Sequence, residues 1–201
     1  MYHIKRAILV NERPDWDRIE EVQINEHLWL AEIDTHGFAK VCYDESGIYV
    51  KLEVKEKEIR ATYQGKYDMV SQDSCLEFYF CPIENDPRYF NIEYNPNGAL
   101  YLGYGTDRYR SVRIILHDEK SLFQGKPYYF EGGWGVEYKV PTEFFELFVP
   151  GFTFQCGMKL RGNFYKCGDY MEQPHFIAWN EVIHETPEFN KPEYFGNLYF
   201  D

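Results

Sequence analysis

Positive charge is in short supply in this chain, where 21 Lys and Arg stand against 33 Asp and Glu, for a formal charge of −12 and a sequence pI near 5.0. A field of that sign repels phosphate backbones and anionic lipid heads, so neither nucleic acid nor a membrane surface is expected as a partner. Cysteine is sparse and badly spaced for a framework. Cys42, Cys75, Cys81, Cys156 and Cys167 are odd in number and show no CxxC pair, which points away from a complete disulfide set or a zinc ribbon and toward free thiols in a reducing compartment. No apolar run reaches the roughly 18 residues of a membrane-spanning helix. The start, MYHIKRAILVNERPDW, turns charged before a signal-type apolar region develops. The expected location is therefore cytoplasmic for the chain as it stands, or extracellular if a leader has been removed. Catalytic signatures are missing as well: GxSxG, HExxH, GxGxxG and the Walker pattern do not occur, and the six histidines sit at no ligand spacing.

Aromatic residues, by contrast, are abundant at 19% of the chain, more than a core of this size needs. Tyr and Trp suit surfaces that are half apolar and half wet. Apolar and polar residues alternate with period two over Gly47–Glu53, Leu76–Cys81, Tyr89–Tyr94 and Trp134–Val140, which predicts strands. Turn chemistry separates them, at Asp44–Gly47, Asn95–Gly98, Gly103–Gly105 and Gly132–Gly133. Helical periodicity is confined to one short stretch, Thr142–Phe148, entered through Pro141. The pattern predicts one all-β domain over residues 1–201, an antiparallel β-sandwich of jelly-roll-like or immunoglobulin-like type with at most one short helix.

Alternation also sorts the polar residues. Glu77 falls opposite Leu76 and Phe78, on the side that would ordinarily be solvated. Asn91, Glu93 and Asn95 share one face of their strand, while Phe90, Ile92 and Tyr94 share the other. Arg161 and Asn163 fall opposite Met158 and Leu160, and Arg161 could either meet a ligand or pair with a carboxylate such as Glu77. Trp179 lies in an apolar run and reads as core. The proline-bearing tail from Thr186 to Phe200 reads as a stiff loop that could offer Phe189 and Tyr194 as an aromatic platform. Carboxylates accept hydroxyl protons, Asn side chains both donate and accept, and ring faces meet C–H patches. That combination suits a sugar.

Several pieces, in order, resemble the family 9 carbohydrate-binding modules. They are Val41-Cys-Tyr-Asp44 with Ile48-Tyr-Val50, Gln72-Asp-Ser with Glu77, Tyr89-Phe with Asn95-Pro-Asn-Gly98, Gly133-Trp-Gly-Val-Glu137 with Pro141, and Trp179 followed by Pro192-Glu-Tyr-Phe-Gly-Asn-Leu198. The resemblance covers the chain from about Phe38 onward. It implies an antiparallel sandwich that binds saccharides without breaking a bond, with calcium as a possible structural cofactor. It also implies an oligosaccharide or polysaccharide partner such as a cellulose or xylan end, and service beside a glycoside hydrolase in carbohydrate catabolism. Carried over by motif, the sugar-binding residues are Glu77, Asn91, Arg161, Asn163 and Phe189. The first of the family's two stacking Trp residues falls near Val70, the second falls at Phe189, and Asn91 stands where an Arg is usual. One extra residue between Ser74 and Glu77 predicts a bulge. Such departures suggest a weaker or different sugar site, or one rebuilt from Tyr67, Tyr94 and Tyr104.

Three other readings compete. A haem-binding relative of the same fold would use methionines such as Met69, Met158 and Met171. A protein-interaction sandwich would use its aromatic face. A glycosidase would need Glu77 as a catalytic acid. Calcium, if present, would be sought in the acidic loops Asp68–Asp73 and Glu84–Asp86.

Overall fold

The computed structural model describes the backbone of residues 1–201 and the side chains of all except residues 119 and 120. Strands dominate: β1 (Tyr2–Arg6), β2 (Leu9–Val10), β3 (Arg13–Pro14), β4 (Glu21–Ile24), β5 (Glu26–His27), β6 (His36–Asp44), β7 (Gly47–Lys55) and β8 (Cys75–Cys81). They continue as β9 (Tyr89–Tyr94), β10 (Leu100–Gly105), β11 (Ser111–Arg113), β12 (Lys126–Phe130), β13 (Gly133–Pro141), β14 (Lys159–Cys167), β15 (Phe176–Ala178) and β16 (Gly196–Phe200). The helices α1 (Glu119–Leu122) and α2 (Thr142–Glu146) are a turn or so each. The four strands expected from alternation are all present, and α2 begins at the residue after Pro141 as expected.

One large curled sheet runs in the order β11-β10-β9-β8-β14-β16-β1-β6-β7-β13-β12, and β2 and β3 form a separate small ribbon. The expectation of a purely antiparallel sandwich is corrected at one place. β1 pairs parallel with both β16 and β6, so the first strand stitches the two halves of the sheet together. The physical reason is that the C-terminal strand returns beside the N-terminal one in the same direction. The register of β8 is unbroken against β14 from Cys75 to Cys81, so the expected bulge before Glu77 is not there.

Period two explains the packing. Leu76, Phe78, Phe80, Phe90, Ile92 and Phe164 from one half meet Val50, Leu52, Val54, Trp134 and Val136 from the other in one core. Ring pairs such as Phe78 on Phe164, stacked at 4.8 Å, fill it. The β6–β7 hairpin turns through Gly47, whose φ of +156° and whose missing Cβ, which would lie 2.5 Å from the Val140 carbonyl oxygen, both require glycine. Asp44 closes that turn by accepting the Ser46 N–H at 2.8 Å.

The opposite face of β8, β9 and β14 carries a second cluster. Tyr79, Tyr89 and Tyr165 are covered there by Phe189 and Phe195 from the C-terminal segment. Alternation alone reads that face as solvated; the tail buries it.

Candidate functional site

Between this second cluster and β10 lies a cavity of about 300 Å³. Its floor is the odd-numbered row of the sheet, Glu77 and Tyr79 on β8, Asn91 and Glu93 on β9, Tyr101 on β10 and Cys167 on β14. Its walls are Met69, Ser71, Arg108, Asp169 and Phe176, with Pro187 to Asn190 from the tail. β-sheet register explains the convergence: Glu77 stands opposite Glu93, Tyr79 opposite Asn91, and Asn91 opposite Gly103. Gly103 makes the room, since a Cβ there would lie 2.1 Å from the Asn91 side-chain oxygen.

The polar floor is tightly wired. Asn91 Nδ2 donates to Glu93 Oε1 at 2.9 Å, and the Tyr79 hydroxyl donates to the same oxygen at 3.3 Å. Cys167 Sγ donates to Glu77 Oε1 at 3.0 Å, while Glu77 Oε2 is buried without a hydrogen-bond partner. Burial pushes the Glu77 carboxyl up to about 7, and Asp169 beside it adds to the rise. Burial, and then the neighbouring Glu77 charge, raise Glu93 well above the ordinary carboxylate range. Asp169 is raised too, again by burial first. Two carboxyls facing each other across adjacent strands do not both ionise readily, so this floor offers hydroxyl donors as well as acceptors near neutral pH.

The apolar wall is built by the tail. Phe189 stacks on Tyr165 with ring centroids 4.0 Å apart and meets Trp29 at 5.7 Å. The Tyr89 hydroxyl donates to Asn190 Oδ1 at 2.6 Å, and the Trp29 indole N–H donates to the His184 carbonyl at 2.7 Å. Together these contacts pin the loop against the sheet. At the mouth, Arg108 lies 3.8 Å from Glu188. The Arg113 guanidinium sits 4.5 Å from the Tyr101 ring centroid, holding that ring in place.

Three of the five sequence-predicted site residues therefore share this cavity: Glu77, Asn91 and Phe189. The other two do not line it. Arg161 Nη1 donates to the Pro192 carbonyl at 3.0 Å, and Asn163 Nδ2 donates to the Asn180 carbonyl at 2.8 Å while its oxygen accepts the Asn180 N–H at 2.9 Å. Both are on the right face but too far along β14, where Arg161 ties down the tail and Asn163 the segment just after β15. Asn95 is likewise consumed in structure, donating to Asp73 Oδ2 and the Tyr63 carbonyl.

The rebuilt set is corrected as well. Tyr94 is buried in the main core, Tyr104 packs against that core, and Tyr67 is 77% exposed; Tyr101 is the tyrosine of that region that reaches the cavity beside Tyr79. Val70, at the expected first stacking position, is fully buried in the second cluster, and its neighbour Met69 faces the cavity. Glu93 was within reach of sequence reasoning only as a member of a polar face, and Tyr101 and Asp169 were not singled out; their convergence needs the register and the loop after β14.

In the acidic loops, most aspartate oxygens already face protein donors. Asp68 Oδ2 accepts the N–H groups of Gln64 and Gly65, and Asp73 Oδ2 accepts those of Thr62 and Tyr63 with Arg60 3.3 Å from its other oxygen. Both oxygens of Asp86 hold Arg88. Lone pairs that already face N–H donors and guanidinium groups are not free to cage a dication. The three methionines of the haem reading are dispersed, Met69 at the cavity, Met158 against the main core and Met171 touching Lys166.

A model of carbohydrate-binding family 9 matches residues 4–200. No curated protein matches the chain in sequence. Among solved structures, a Bacteroides uniformis protein provisionally named carbohydrate-binding superposes with a TM-score of 0.87 at 25% identity, over 100% of this chain and 98% of that one. A family 9 carbohydrate-binding module from Caldicellulosiruptor kristjanssonii in complex with glucose superposes with a TM-score of 0.67 at 13% identity, over 100% and 96% of the two chains. Its complex with cellotriose gives 0.67 at 14% identity, over 98% and 92%.

Proposed function

From the premise that this chain belongs to carbohydrate-binding family 9, a family of non-catalytic binding modules, we propose that the cavity floored by Glu77, Asn91 and Glu93 holds the terminal residue of a neutral glucan or related oligosaccharide. The observation that carries this reading is the meeting of two chemistries in one hollow. Carboxyls and an amide form the floor, and Phe176, Phe189, Tyr101 and Met69 form apolar walls. A pyranose has the same division, with equatorial hydroxyls around its rim and C–H patches on its faces. A volume near 300 Å³ suits one sugar ring rather than a long chain, so recognition is of an end or a free sugar, with any further residues projecting past Arg108 and Glu188. The glucose and cellotriose bound by the Caldicellulosiruptor module supply the choice of ligand class.

The chemistry of the floor sets preferences. An acidic sugar would bring a carboxylate against Glu77, Glu93, Asp169 and Glu188, with Arg108 as the one cation among the described lining residues, so uronic acids are disfavoured. Affinity is modest, because each hydroxyl exchanges a bond to water for a bond to protein at little net gain. The biological setting consistent with such a module is glycan breakdown beside a hydrolase on another chain.

Calorimetry with glucose, cellobiose, cellotriose and xylotriose tests the reading. Heat of binding to at least one neutral sugar is expected, abolished by Glu77→Gln and weakened by Phe189→Ala. Silence across all four sugars with correctly folded protein would overturn it.

A further inference from the structure

At the inner end of the cavity, β8 and β14 bring two thiols, which sugar binding does not explain, beside the carboxylate of Glu77. Cys75 and Cys167 are register partners on adjacent antiparallel strands, and Glu77 lies two residues along from Cys75, hence on the same face. One ligand atom from each of the three lies within 4.8 Å of the others, and all three residues are buried. Cys167 Sγ already touches Glu77 Oε1 at 3.0 Å.

We infer that Cys75, Cys167 and Glu77 form a three-ligand site for a thiophilic divalent cation of the zinc class, with its fourth position open to the cavity. This inference goes beyond the saccharide reading and does not depend on it. Zinc takes Cys sulfurs at about 2.3 Å and carboxylate oxygens at about 2.0–2.2 Å in a tetrahedron, which places two sulfurs roughly 3.8 Å apart. The three atoms are thus already gathered at a spacing comparable with that geometry. Three protein ligands with one open position is the arrangement in which zinc keeps a water or takes up another oxygen ligand.

A second observation points the same way. Glu77 Oε2 is buried with no hydrogen-bond partner, although its sister oxygen has the Cys167 thiol. Buried carboxylate oxygens are ordinarily satisfied, and an orphan calls for a missing ion or water. Access is provided, because Glu77 and Cys167 both line the cavity, while Cys75 closes the site from below. The ligand frame is held from outside: Lys166 Nζ donates to the Cys167 carbonyl at 2.7 Å and pairs with Glu56 at 3.1 Å, which fixes the end of β14. Binding replaces the thiol protons with the metal and releases them to solvent.

The test is cobalt(II) and zinc(II) titration of the full chain, freshly reduced and freed of reductant under nitrogen. One cobalt per chain is expected, with the intense visible bands and the thiolate charge-transfer band of tetrahedral sulfur ligation, displaced by zinc. Cys75→Ser and Cys167→Ser should each lose the charge-transfer intensity, whereas Cys156→Ser, at an exposed position remote from the cluster, should keep it. Because a buried Cys→Ser change can impair folding, X-ray absorption of zinc-loaded unmodified protein gives an independent reading, with two sulfur scatterers at about 2.3 Å expected. Absence of stoichiometric uptake, a shell of nitrogen and oxygen only, or a cobalt spectrum that vanishes in Cys156→Ser would each overturn the assignment. Zinc uptake without glycan binding would sink the saccharide reading alone, and glycan binding without zinc uptake would sink this one alone.

Discussion

Lys166 and Cys167 are neighbours on β14, and they point to opposite faces of the same strand toward two differently buried carboxylates. On the inner face, Glu56 is 6% exposed and has a cation beside the one oxygen that accepts no hydrogen bond. Lys166 Nζ lies 3.1 Å from Glu56 Oε2, the Trp134 indole donates to Oε1 at 2.8 Å, and the Ser74 hydroxyl donates to the same oxygen. His175 accepts the Lys166 ammonium at 2.8 Å through Nε2, and its Nδ1 donates to the Gln173 carbonyl at 2.8 Å. On the outer face, Glu77 meets another carboxylate, a thiol and a cavity. The first arrangement sets the carboxylate against a cation, beside a hollow of only about 90 Å³. The second has no cation at its unpartnered oxygen and borders a cavity of about 300 Å³, and that difference separates a structural carboxylate from one available to bind.

The sharpest way to break this comparison is Lys166→Met, which strips the inner carboxylate of its cation. Removing one partner of a buried pair costs about 3–5 kcal/mol, so urea unfolding should show a loss of that size, and a loss under about 1 kcal/mol would remove the distinction between the two faces. Phe189→Ala comes next. It takes away the ring stacked on Tyr165 at the cavity wall and should weaken glycan affinity by roughly tenfold or more, about 1.4 kcal/mol, as read by calorimetry.

pH separates the faces with opposite signs. Glu77 is raised from 4.5 to about 7, so it contributes stability that is fully present below pH 4.5 and is lost as pH rises through 7. His175 is pushed down from 6.5 to about 3 by burial and the Lys166 ammonium, so its contribution is present above pH 6.5 and is lost as pH falls toward 3. Over the shared window the two slopes oppose. Urea midpoints across it should rise more steeply with pH in Glu77→Gln than in the unmodified protein, and less steeply in His175→Gln. Equal slopes in all three proteins would show that neither shift exists. The smallest effect is expected from Asp169→Asn, which removes the like charge that adds to the rise of Glu77. Carbon-13 NMR of the Glu77 carboxyl should show its titration moving down toward the ordinary range, with a stability change within about 1 kcal/mol.

Much of the frame was legible beforehand because alternation is a local signal. Tyr89–Tyr94 is a strand with the expected limits, and Phe90 and Ile92 face the core as their spacing requires. Glu77 and Asn91 were assigned to their faces by the same reasoning, and Phe189 to the stiff tail that carries it. Arg161 and Asn163 show where it stops. Period two gives the face of a strand but not the position along it, and the carbonyls that claim the two residues, those of Asn180 and Pro192, come 17 and 31 positions later in sequence. Tyr94 and Tyr101 make the same point in reverse, since both are tyrosines in neighbouring strands and only their parity assigns one to the core and the other to the cavity.

The residues alone determined that this chain forms strands, which side chains share a face, and that its acidity and aromatic richness favour a neutral polar ligand over phosphate. These follow from backbone pleating and net charge, which need no knowledge of distant contacts. Tertiary structure decided that the supposedly wet face of β8 and β14 is buried by the C-terminal segment, that Glu77 opposes Glu93, and that Cys75 meets Cys167. Those pairings depend on register and on the path of a loop, and both are fixed only when strands distant in sequence come together to bury their apolar sides.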